Sequence, residues 1–244
     1  MAQAVNDSAR PAPKWRRFLP LAVLLLGMAA FFALGLDKYA TVDMLRQHRA
    51  TLVGWVEARP LLAPLAYIAA YATVAALSLP AGAPLSIVGG FLFGAIFGTV
   101  WVVIGATVGA TLLFIAARTA FADLLRAKAG PAVRRMEAGF RANAFSYLLS
   151  LRFLPVFPFW LVNLAAALLD VPLRVFVLAT FLGIIPGSFV FVNVGSGLGA
   201  VLDSGEPITV MSVLTPKIMI ALSLLALLSL APALLRRFKG KRGG

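Results

Sequence analysis

The sequence predicts an all-α integral membrane protein: an inverted repeat of two re-entrant helical hairpins, each followed by a transmembrane helix, plus flanking transmembrane helices. Composition is the first reason, since 61% of the 244 residues are hydrophobic, 13% are charged, and the mean hydropathy is +0.94. A chain this apolar is typical of proteins that cross a bilayer several times. The second reason is that two long apolar runs are each interrupted by a pair of prolines, which end or bend a helix inside the run.

The distribution of positive charge predicts the orientation in the membrane. Fifteen of the 22 Lys and Arg residues fall in three segments beside apolar runs. They are Arg10, Lys14, Arg16 and Arg17; then Arg118, Arg126, Lys128, Arg134, Arg135 and Arg141; then Arg236, Arg237, Lys239, Lys241 and Arg242. The positive-inside rule places all three segments in the cytoplasm beside anionic lipid, and this placement argues against nucleic acid as a partner. We therefore expect a multi-pass protein of the bacterial inner (plasma) membrane with cytoplasmic termini.

The N-terminal part is predicted to contain a tail, one spanning helix and a surface segment. Residues 1–17 are polar and basic and form the cytoplasmic tail, and residues 18–36 are apolar and about long enough to span. In residues 37–59 apolar side chains recur at helical spacing opposite charged ones. This pattern predicts an external amphipathic segment that lies on the membrane surface.

Residues 60–200 are predicted to form the core. The uncharged run 61–117 starts outside and ends inside, so it crosses an odd number of times, and three full spans would leave no residues for loops. Pro80 to Pro84 interrupts the run and Gly98 marks a second joint. The predicted elements are therefore a hairpin over 62–97 and a transmembrane helix over 99–117.

The same order of elements then repeats. After a cytoplasmic connection, a second apolar run is broken by Pro155 and Pro158, and a polar hinge follows at Asp170 to Arg174. The predicted elements are the connection 118–143, a hairpin over 144–169, a helix over 175–199, an external loop over 201–212, a helix over 213–235 and a cytoplasmic tail over 236–244. This arrangement gives the two hairpins opposite orientations, as in transporters that bind substrate near the bilayer midplane.

Arg152 is the strongest candidate for a substrate-binding residue. It is the only charged residue between Arg141 and Asp170, and a guanidinium does not lose its charge in hydrocarbon. One interpretation is an arginine that snorkels to the interface near a helix end. The other is an anion site, because a proline-broken helix follows directly and no acid lies within ten residues. We predict the anion site.

Other polar and conformationally special residues accompany it. Asn163 and Asn193 lie in apolar sequence and either contact substrate or hydrogen-bond a neighbouring helix. Ser78, Ser86 and Ser150 are weaker candidates, because serine can bond the carbonyls of its own helix. The prolines predicted to shape the binding turns are Pro80, Pro84, Pro155 and Pro158. Glycines at four-residue intervals, such as Gly90, Gly94 and Gly98, are interpreted as helix-packing positions.

Several kinds of chemistry lack the residues they need. The chain has no cysteine and a single histidine, His48, so thiolate metal sites and haem ligation are not expected. No Asp or Glu lies inside an apolar run, although proton-coupled pumps use such a group. The sequence contains no Ser/His/Asp arrangement, phosphate loop or HExxH motif. We expect no enzymatic activity, no cofactor and no metal.

The motifs around the candidate residues resemble a known family. They are Arg152-Phe-Leu-Pro155-Val-Phe-Pro158-Phe-Trp-Leu-Val-Asn163, then Gly183-Ile-Ile-Pro186-Gly187 and Asn193-Val-Gly195-Ser-Gly197, with Leu79-Pro80, Pro84 and Gly89-Gly90-Phe91-Leu92-Phe93-Gly94 in the first half. Over about residues 60 to 200 the chain resembles the VTT-domain branch of the DedA superfamily, also called SNARE-associated Golgi proteins. That branch includes bacterial membrane proteins and eukaryotic scramblases of the endoplasmic reticulum.

The resemblance implies two opposed re-entrant hairpins and the movement of phospholipids or undecaprenyl phosphate between leaflets. DedA proper has a glutamate in the first hairpin turn, where this chain has Ala81, Gly82 and Ala83, and a second arginine where this chain has Pro158. Both departures shift the likeness toward the scramblases. We predict a lipid translocase, either an uncoupled phospholipid scramblase or an undecaprenyl-phosphate flippase, with a midplane headgroup site between the hairpins. A small-solute or ion transporter and a membrane-organising scaffold are the alternatives.

Overall fold

The computed structural model describes residues 19–33, 48–128, 143–153 and 157–204. All regular elements in these ranges are α-helices. They are α1 (Leu19–Ala33), α2 (Arg49–Ala58), α3 (Leu62–Ala76), α4 (Gly82–Lys128), α5 (Ala144–Phe153), α6 (Phe159–Leu168) and α7 (Leu173–Ser204). The predictions for 1–17, 213–235 and 236–244, for most of 201–212 and for Pro155 lie outside the described residues.

Two of the described helices are long and apolar enough to cross a membrane by themselves, over Gly82–Ala120 and Leu173–Gly199. A third candidate is the pair Ala50–Ala58 and Leu62–Ala76, whose axes are bent by 115°. Apolar helices of this length satisfy their own backbone hydrogen bonds, which is the requirement for crossing hydrocarbon. The chain is therefore an all-α, multi-pass membrane protein, as its composition predicts.

The long helix α4 is kinked at Gly94. The backbone angles of this residue, φ 75° and ψ 179°, are not helical, and only glycine adopts such a positive φ at little cost. The joint predicted at Gly98 is therefore wrong by one helical turn. Gly98 is a packing position instead, since a Cβ there would lie 2.7 Å from the carbonyl oxygen of Gly89.

The first helix break lies between α3 and α4, at residues 77–81. Ser78 in this break has a left-handed backbone with φ 58°. Because α4 already starts at Gly82, Pro84 lies in its first turn, where a missing N–H interrupts no helical hydrogen bond. The break therefore ends before Pro84, and the predicted turn from Pro80 to Pro84 extends too far along the chain.

The second helix break lies between α5 and α6. α5 ends at Phe153, and α6 starts at Phe159 with Pro158 as its N-cap residue. The proline pair thus interrupts an apolar run here as well. A helix, a break, a second helix and then a long apolar helical segment occur in this order in both halves of the core.

A short turn at residues 169–172 joins α6 to α7. Asp170 in this turn has φ 50° and forms an ion pair with Arg118 of α4. The guanidinium of Arg118 also donates a hydrogen bond of 3.2 Å to the carbonyl oxygen of Val171. These contacts fix the turn against α4, so α7 starts at Leu173, slightly before the predicted helix 175–199.

The described helices pack around two apolar clusters, and α4 and α7 contribute to both. The first cluster contains Ala110, Phe114, Ala117, Ala144, Leu148, Val162, Ala166, Ala167, Val171, Phe176 and Ala179. The second contains Tyr67, Tyr71, Ala75, Val102, Ala106 and Val192. Phe159 at the start of α6 packs against both. The two clusters therefore hold the two helix breaks in a fixed relation.

Glycines allow α4 and α7 to cross at backbone contact. A Cβ on Gly90 would lie 1.8 Å from the carbonyl oxygen of Val192, and one on Gly195 would lie 1.8 Å from that of Ile87. No side chain fits at such distances, so both positions require glycine. This contact agrees with the packing role predicted for the four-residue glycine pattern.

Candidate functional site

A cavity of about 630 Å³ lies between the two helix breaks. One wall comes from α3, the first break and the start of α4, and the opposite wall comes from the end of α5, the second break and α7. Pro80 lines the first wall, and Pro158 and Arg152 line the second. The volume is in the usual range for a site that binds a small molecule or a lipid headgroup.

The guanidinium of Arg152 is held by two polar side chains on different helices. Its Nη2 donates to Oδ1 of Asn163 on α6 at 2.5 Å and to Oγ1 of Thr180 on α7 at 3.0 Å. Asn163 and Thr180 have no exposed surface, so water does not compete with Arg152 for their oxygens. Arg152 therefore connects α5 to α6 and α7 and has a fixed position.

Two of the donor atoms of Arg152 remain without a partner. Nε and Nη1 are buried and have no hydrogen-bond acceptor among the described residues, and Nδ2 of Asn163 is in the same state. A buried N–H that lacks an acceptor costs about 1–3 kcal/mol, and more when the group is charged. The site therefore has three buried donor atoms for which the described part of the chain provides no acceptor.

Aromatic rings and one glycine complete the surroundings of Arg152. The guanidinium carbon lies 4.5 Å from the ring centroid of Phe159 and 5.8 Å from that of Phe176, so both rings stabilise the cation. A Cβ on Gly183 of α7 would lie 2.5 Å from Cβ of Arg152. Gly183 thus provides the space in which the arginine lies against α7.

The opposite wall carries a group of hydroxyls. The hydroxyl oxygen of Tyr71 on α3 lies 3.1 Å from Oγ of Ser86 and donates to the carbonyl oxygen of Gly82 at 3.2 Å. Oγ of Ser86 donates to the same carbonyl at 2.8 Å. All three residues line the cavity. The site therefore has a cationic side at Arg152 and a neutral polar side at the first break.

The structure brings together four of the predicted site residues and leaves two apart. Arg152, Pro80 and Pro158 line the cavity, and Asn163 accepts a hydrogen bond from Arg152 without lining the cavity itself. Asn193 does not line it, because its Nδ2 donates to the carbonyl of Phe189 one turn earlier in α7. Pro84, in the first turn of α4, is also absent from the lining, and the placement of Pro155 lies outside the described residues.

Two contributors to the site, Thr180 and Tyr71, are not predicted by the sequence pattern. Thr180 is one of several threonines in apolar helices, and Tyr71 is one of two tyrosines in α3. A weak signal exists for Thr180, since Phe176, Thr180 and Gly183 recur at helical spacing on the face of α7 that meets Arg152. For Tyr71 the sequence gives no such signal, because its four-residue spacing from Tyr67 indicates only that both tyrosines lie on the same face of α3.

These observations define a class of protein: a multi-pass helical membrane protein with a largely apolar cavity between two helix breaks and a few polar groups in its walls. Arg152 is the only charged residue among the described residues that line it. A family model described as the VTT domain matches residues 79–197, which include both walls of the cavity except α3. The chain therefore belongs to the VTT-domain branch of the DedA superfamily, which confirms the resemblance of its motifs.

Several curated proteins are similar to the chain over most of its length. Transmembrane protein 41B of Mus musculus is 31% identical over 177 residues, which cover 71% of this chain and 58% of the relative. The Gallus gallus protein of the same name is 30% identical, and the match covers 71% of this chain and 63% of that protein. The Danio rerio protein is 29% identical, and the match covers 66% of this chain and 58% of that protein. The chain thus spans about three fifths of the length of these relatives. No solved structure matches the chain.

Proposed function

We propose that this protein is an uncoupled phospholipid scramblase and that the headgroup of the transported lipid passes through the cavity between the helix breaks. One observation carries the proposal: Arg152 lines a cavity of headgroup size, and two of its buried N–H donor atoms have no partner among the described residues. The lipid phosphate would supply the missing acceptors, and the acyl chains would stay in the bilayer. The chain belongs to the VTT-domain family, and its motifs resemble those of known scramblases; both facts support the same function.

The chemistry of the guanidinium suits a phosphodiester. Arg152 is held through Nη2, which leaves Nε and Nη1 without a partner among the described residues. These two donors lie on different edges of the planar group, so each can bond a separate phosphate oxygen, and hydrogen bonds from a charged donor to phosphate are strong. One fixed cation neutralises one phosphodiester charge. A phospholipid is therefore preferred to undecaprenyl phosphate, whose monoester carries more charge.

The binding must also be weak enough for release. Asn163 and Thr180 already bond part of the guanidinium, and the rings of Phe159 and Phe176 lie against it, so the cation is partly stabilised without a ligand. A phosphate therefore gains only the remaining donors. Such a site lowers the barrier to headgroup passage without trapping the lipid, as conduction sites do. We propose no enzymatic step, no cofactor and no energy coupling.

The architecture proposed for this function is a pair of re-entrant hairpins with opposite orientation. The apolar part of α4, Gly82–Ala120, has 39 residues and would be about 58 Å long if straight, roughly twice the thickness of the hydrocarbon core. The kink at Gly94 divides it into a short arm and a segment of spanning length. In this proposal the arm 82–93 pairs with α3 as one hairpin, and α5 pairs with α6 as the other.

Cell location and partners follow the same reasoning. Basic residues at both termini and in the connection 118–143 would lie against anionic lipid on the cytoplasmic side of a bacterial inner membrane. The lipid itself is the principal partner. No nucleic acid is involved in this proposal, since the positive charge is explained by membrane orientation.

The experiment is a scrambling assay in proteoliposomes. Fluorescent phospholipids that become accessible to a membrane-impermeant quencher are followed for the wild type, Arg152→Gln and Arg174→Gln. Arg174 is an exposed arginine at the start of α7, so its replacement is the matched control. We expect at least a tenfold slower rate for Arg152→Gln and a wild-type rate for Arg174→Gln. The phosphate role of Arg152 would be refuted by equal rates for all three proteins.

The same vesicles separate the alternative functions. Flux of small oxyanions or ions without lipid movement would identify a small-solute transporter. Absence of both fluxes, together with wild-type behaviour of Arg152→Gln in cells, would identify a membrane-organising scaffold. Either result would overturn the scramblase proposal.

A further inference from the structure

The wall of the cavity that faces Arg152 has a chemical character of its own. Besides the hydroxyl of Ser78, its polar atoms include the hydroxyls of Tyr71 and Ser86 and the carbonyl oxygen of Gly82, and these last three lie within hydrogen-bond distance of one another. Tyr71 is 7% exposed and Ser86 is 3% exposed, so neither exchanges freely with bulk water. Phosphate binding at Arg152 does not require this group.

The hydrogen-bonding capacity of this group toward a ligand follows from its number of protons. Three oxygens share two hydroxyl protons, and the carbonyl of Gly82 can only accept. When both hydroxyls donate to the carbonyl oxygen of Gly82, both protons are used inside the group. The unused capacity of these three oxygens then consists of lone pairs. The group therefore accepts hydrogen bonds from a ligand while its own protons stay bonded internally.

We infer that Tyr71, Ser86 and the carbonyl of Gly82 form a second subsite that accepts hydrogen bonds from the ammonium group of a phospholipid headgroup. This inference rests on the proposed function, since it concerns the other end of the headgroup whose phosphate binds Arg152. A primary ammonium has three N–H donors, and hydrogen bonds from an ionised donor are stronger than neutral ones. Trp160 and Phe191 also line the cavity, and aromatic faces attract a cation.

The subsite implies a preference among zwitterionic lipids. An ethanolamine headgroup supplies N–H donors to the acceptor oxygens, whereas a choline headgroup has the same charge and no N–H. Choline would bury the lone pairs of this group without compensation. The protein is therefore expected to move ethanolamine phospholipids faster than choline phospholipids, with Tyr71 as a specificity-determining residue.

The experiment measures scrambling of a methylation series in the reconstituted full chain. Acyl-labelled phosphatidylethanolamine, its N-methyl and N,N-dimethyl derivatives and phosphatidylcholine are compared in vesicles of one fixed phosphatidylcholine and phosphatidylglycerol composition. Charge, phosphate and acyl chains stay constant while N–H donors are removed one by one. We expect the wild-type rate to be roughly threefold to tenfold higher for the primary ammonium than for choline, the range that one hydrogen bond provides.

The matched variants are Tyr71→Phe and Tyr67→Phe. Tyr67 lies one turn earlier on α3, is equally buried and donates to the carbonyl of Leu85 at 2.8 Å, but it does not line the cavity. Tyr71→Phe is expected to reduce the ethanolamine-to-choline rate ratio toward one, and Tyr67→Phe to leave the ratio unchanged. Ser86→Ala is a second variant that removes another acceptor oxygen and should also reduce the ratio.

The outcomes separate this inference from the proposed function. Equal rates across the methylation series in the wild type would overturn the ammonium subsite while scrambling itself remains. A ratio that stays high in both Tyr71→Phe and Ser86→Ala would overturn the assignment of these residues. Absence of protein-dependent movement for every lipid would overturn the proposed function, and the inference with it.

Discussion

The guanidinium of Arg152 is only partly bonded by the described residues. Nη2 is bound by Asn163 and Thr180, and Nε and Nη1 have no acceptor in the described part of the chain. A buried charge is costly unless it is paired and hydrogen-bonded, and no carboxylate lines this cavity among the described residues. The described residues therefore position the cation without satisfying all of its donors, and in the proposed function the lipid phosphate binds the rest.

The contribution of Thr180 can be measured against a second buried threonine. Thr180→Val removes an acceptor from Nη2 and should lower the free energy of unfolding by about 1–2 kcal/mol and slow scrambling several-fold. Thr107 is buried on α4, and its hydroxyl has no partner among the described residues. Thr107→Val should therefore be neutral or slightly stabilising. Thermal unfolding in detergent gives the comparison, and equal losses in both variants would contradict this assignment.

The sequence identifies Arg152 and Asn163 because strongly polar side chains are rare in apolar runs. It does not identify Thr180 or Tyr71, because threonine and tyrosine are common in membrane helices and their partners are distant in the chain. The same limit applies to Asn193, whose amide bonds its own helix at Phe189. Whether a polar side chain reaches the cavity depends on helix rotation, which sequence spacing does not determine.

At the scale of helices, glycine has three different roles in this core. Gly90 and Gly195 allow backbone contact between α4 and α7, Gly94 provides the kink in α4, and Gly187 faces open space in the cavity wall. The four-residue interval predicts close packing for all of them. The kink at Gly94 and the open side of Gly187 depend on neighbours far away in sequence, so the interval alone does not predict them.

Alanine substitutions should distinguish these roles. Gly90→Ala and Gly195→Ala place a Cβ 1.8 Å from a backbone oxygen of the facing helix, so we expect a loss of about 1–3 kcal/mol or more. Gly187→Ala meets no atom within 4 Å and should be neutral or stabilising by about 0.5–1 kcal/mol, because alanine favours helix. Thermal unfolding of the three purified variants is the measurement. A loss in Gly187→Ala as large as that in Gly90→Ala would contradict the packing described here.

The ion pair between Arg118 and Asp170 should contribute modestly to the docking of the turn between α6 and α7. Both side chains are 39% exposed, so Asp170→Asn should cost about 0.2–1 kcal/mol, and the difference from wild type should shrink at high salt. Glu57→Gln on the exposed face of α2 is the control for removing one negative charge. Unfolding temperatures measured at low and high salt would contradict the prediction if Asp170→Asn were as stable as wild type at both.

At the scale of the whole molecule, both halves of the core repeat one order of elements. Composition and charge predict the helical membrane class, and the proline pairs predict where the two apolar runs are broken. Exact helix ends are less predictable: α4 continues to Lys128, well into the predicted connection, and α7 continues to Ser204. The turn before α7 is likewise held by a contact between residues far apart in the chain, that of Arg118 with Asp170, which local sequence does not predict.

Cysteine accessibility tests the proposed re-entrant topology, because the chain contains no cysteine of its own. Asn143→Cys and Arg174→Cys flank the second hairpin at exposed positions. If α5 and α6 form a re-entrant hairpin, a membrane-impermeant thiol reagent should label both from the cytoplasmic side. Gly54→Cys on α2 should be labelled from the opposite side. Labelling of Asn143→Cys and Arg174→Cys from opposite sides would show that the segment spans the membrane.

The most direct test of the account is to block the cavity in a folded, active protein. Ser188 lines the cavity on α7, and Ser188→Cys is a conservative change that introduces a single thiol. Scrambling by this variant is measured before and after reaction with a bulky thiol reagent, with labelled Gly54→Cys as the control. We predict that labelling at residue 188 stops scrambling and that labelling at residue 54 does not. An unchanged scrambling rate after complete labelling at residue 188 would show that headgroups do not pass through this cavity.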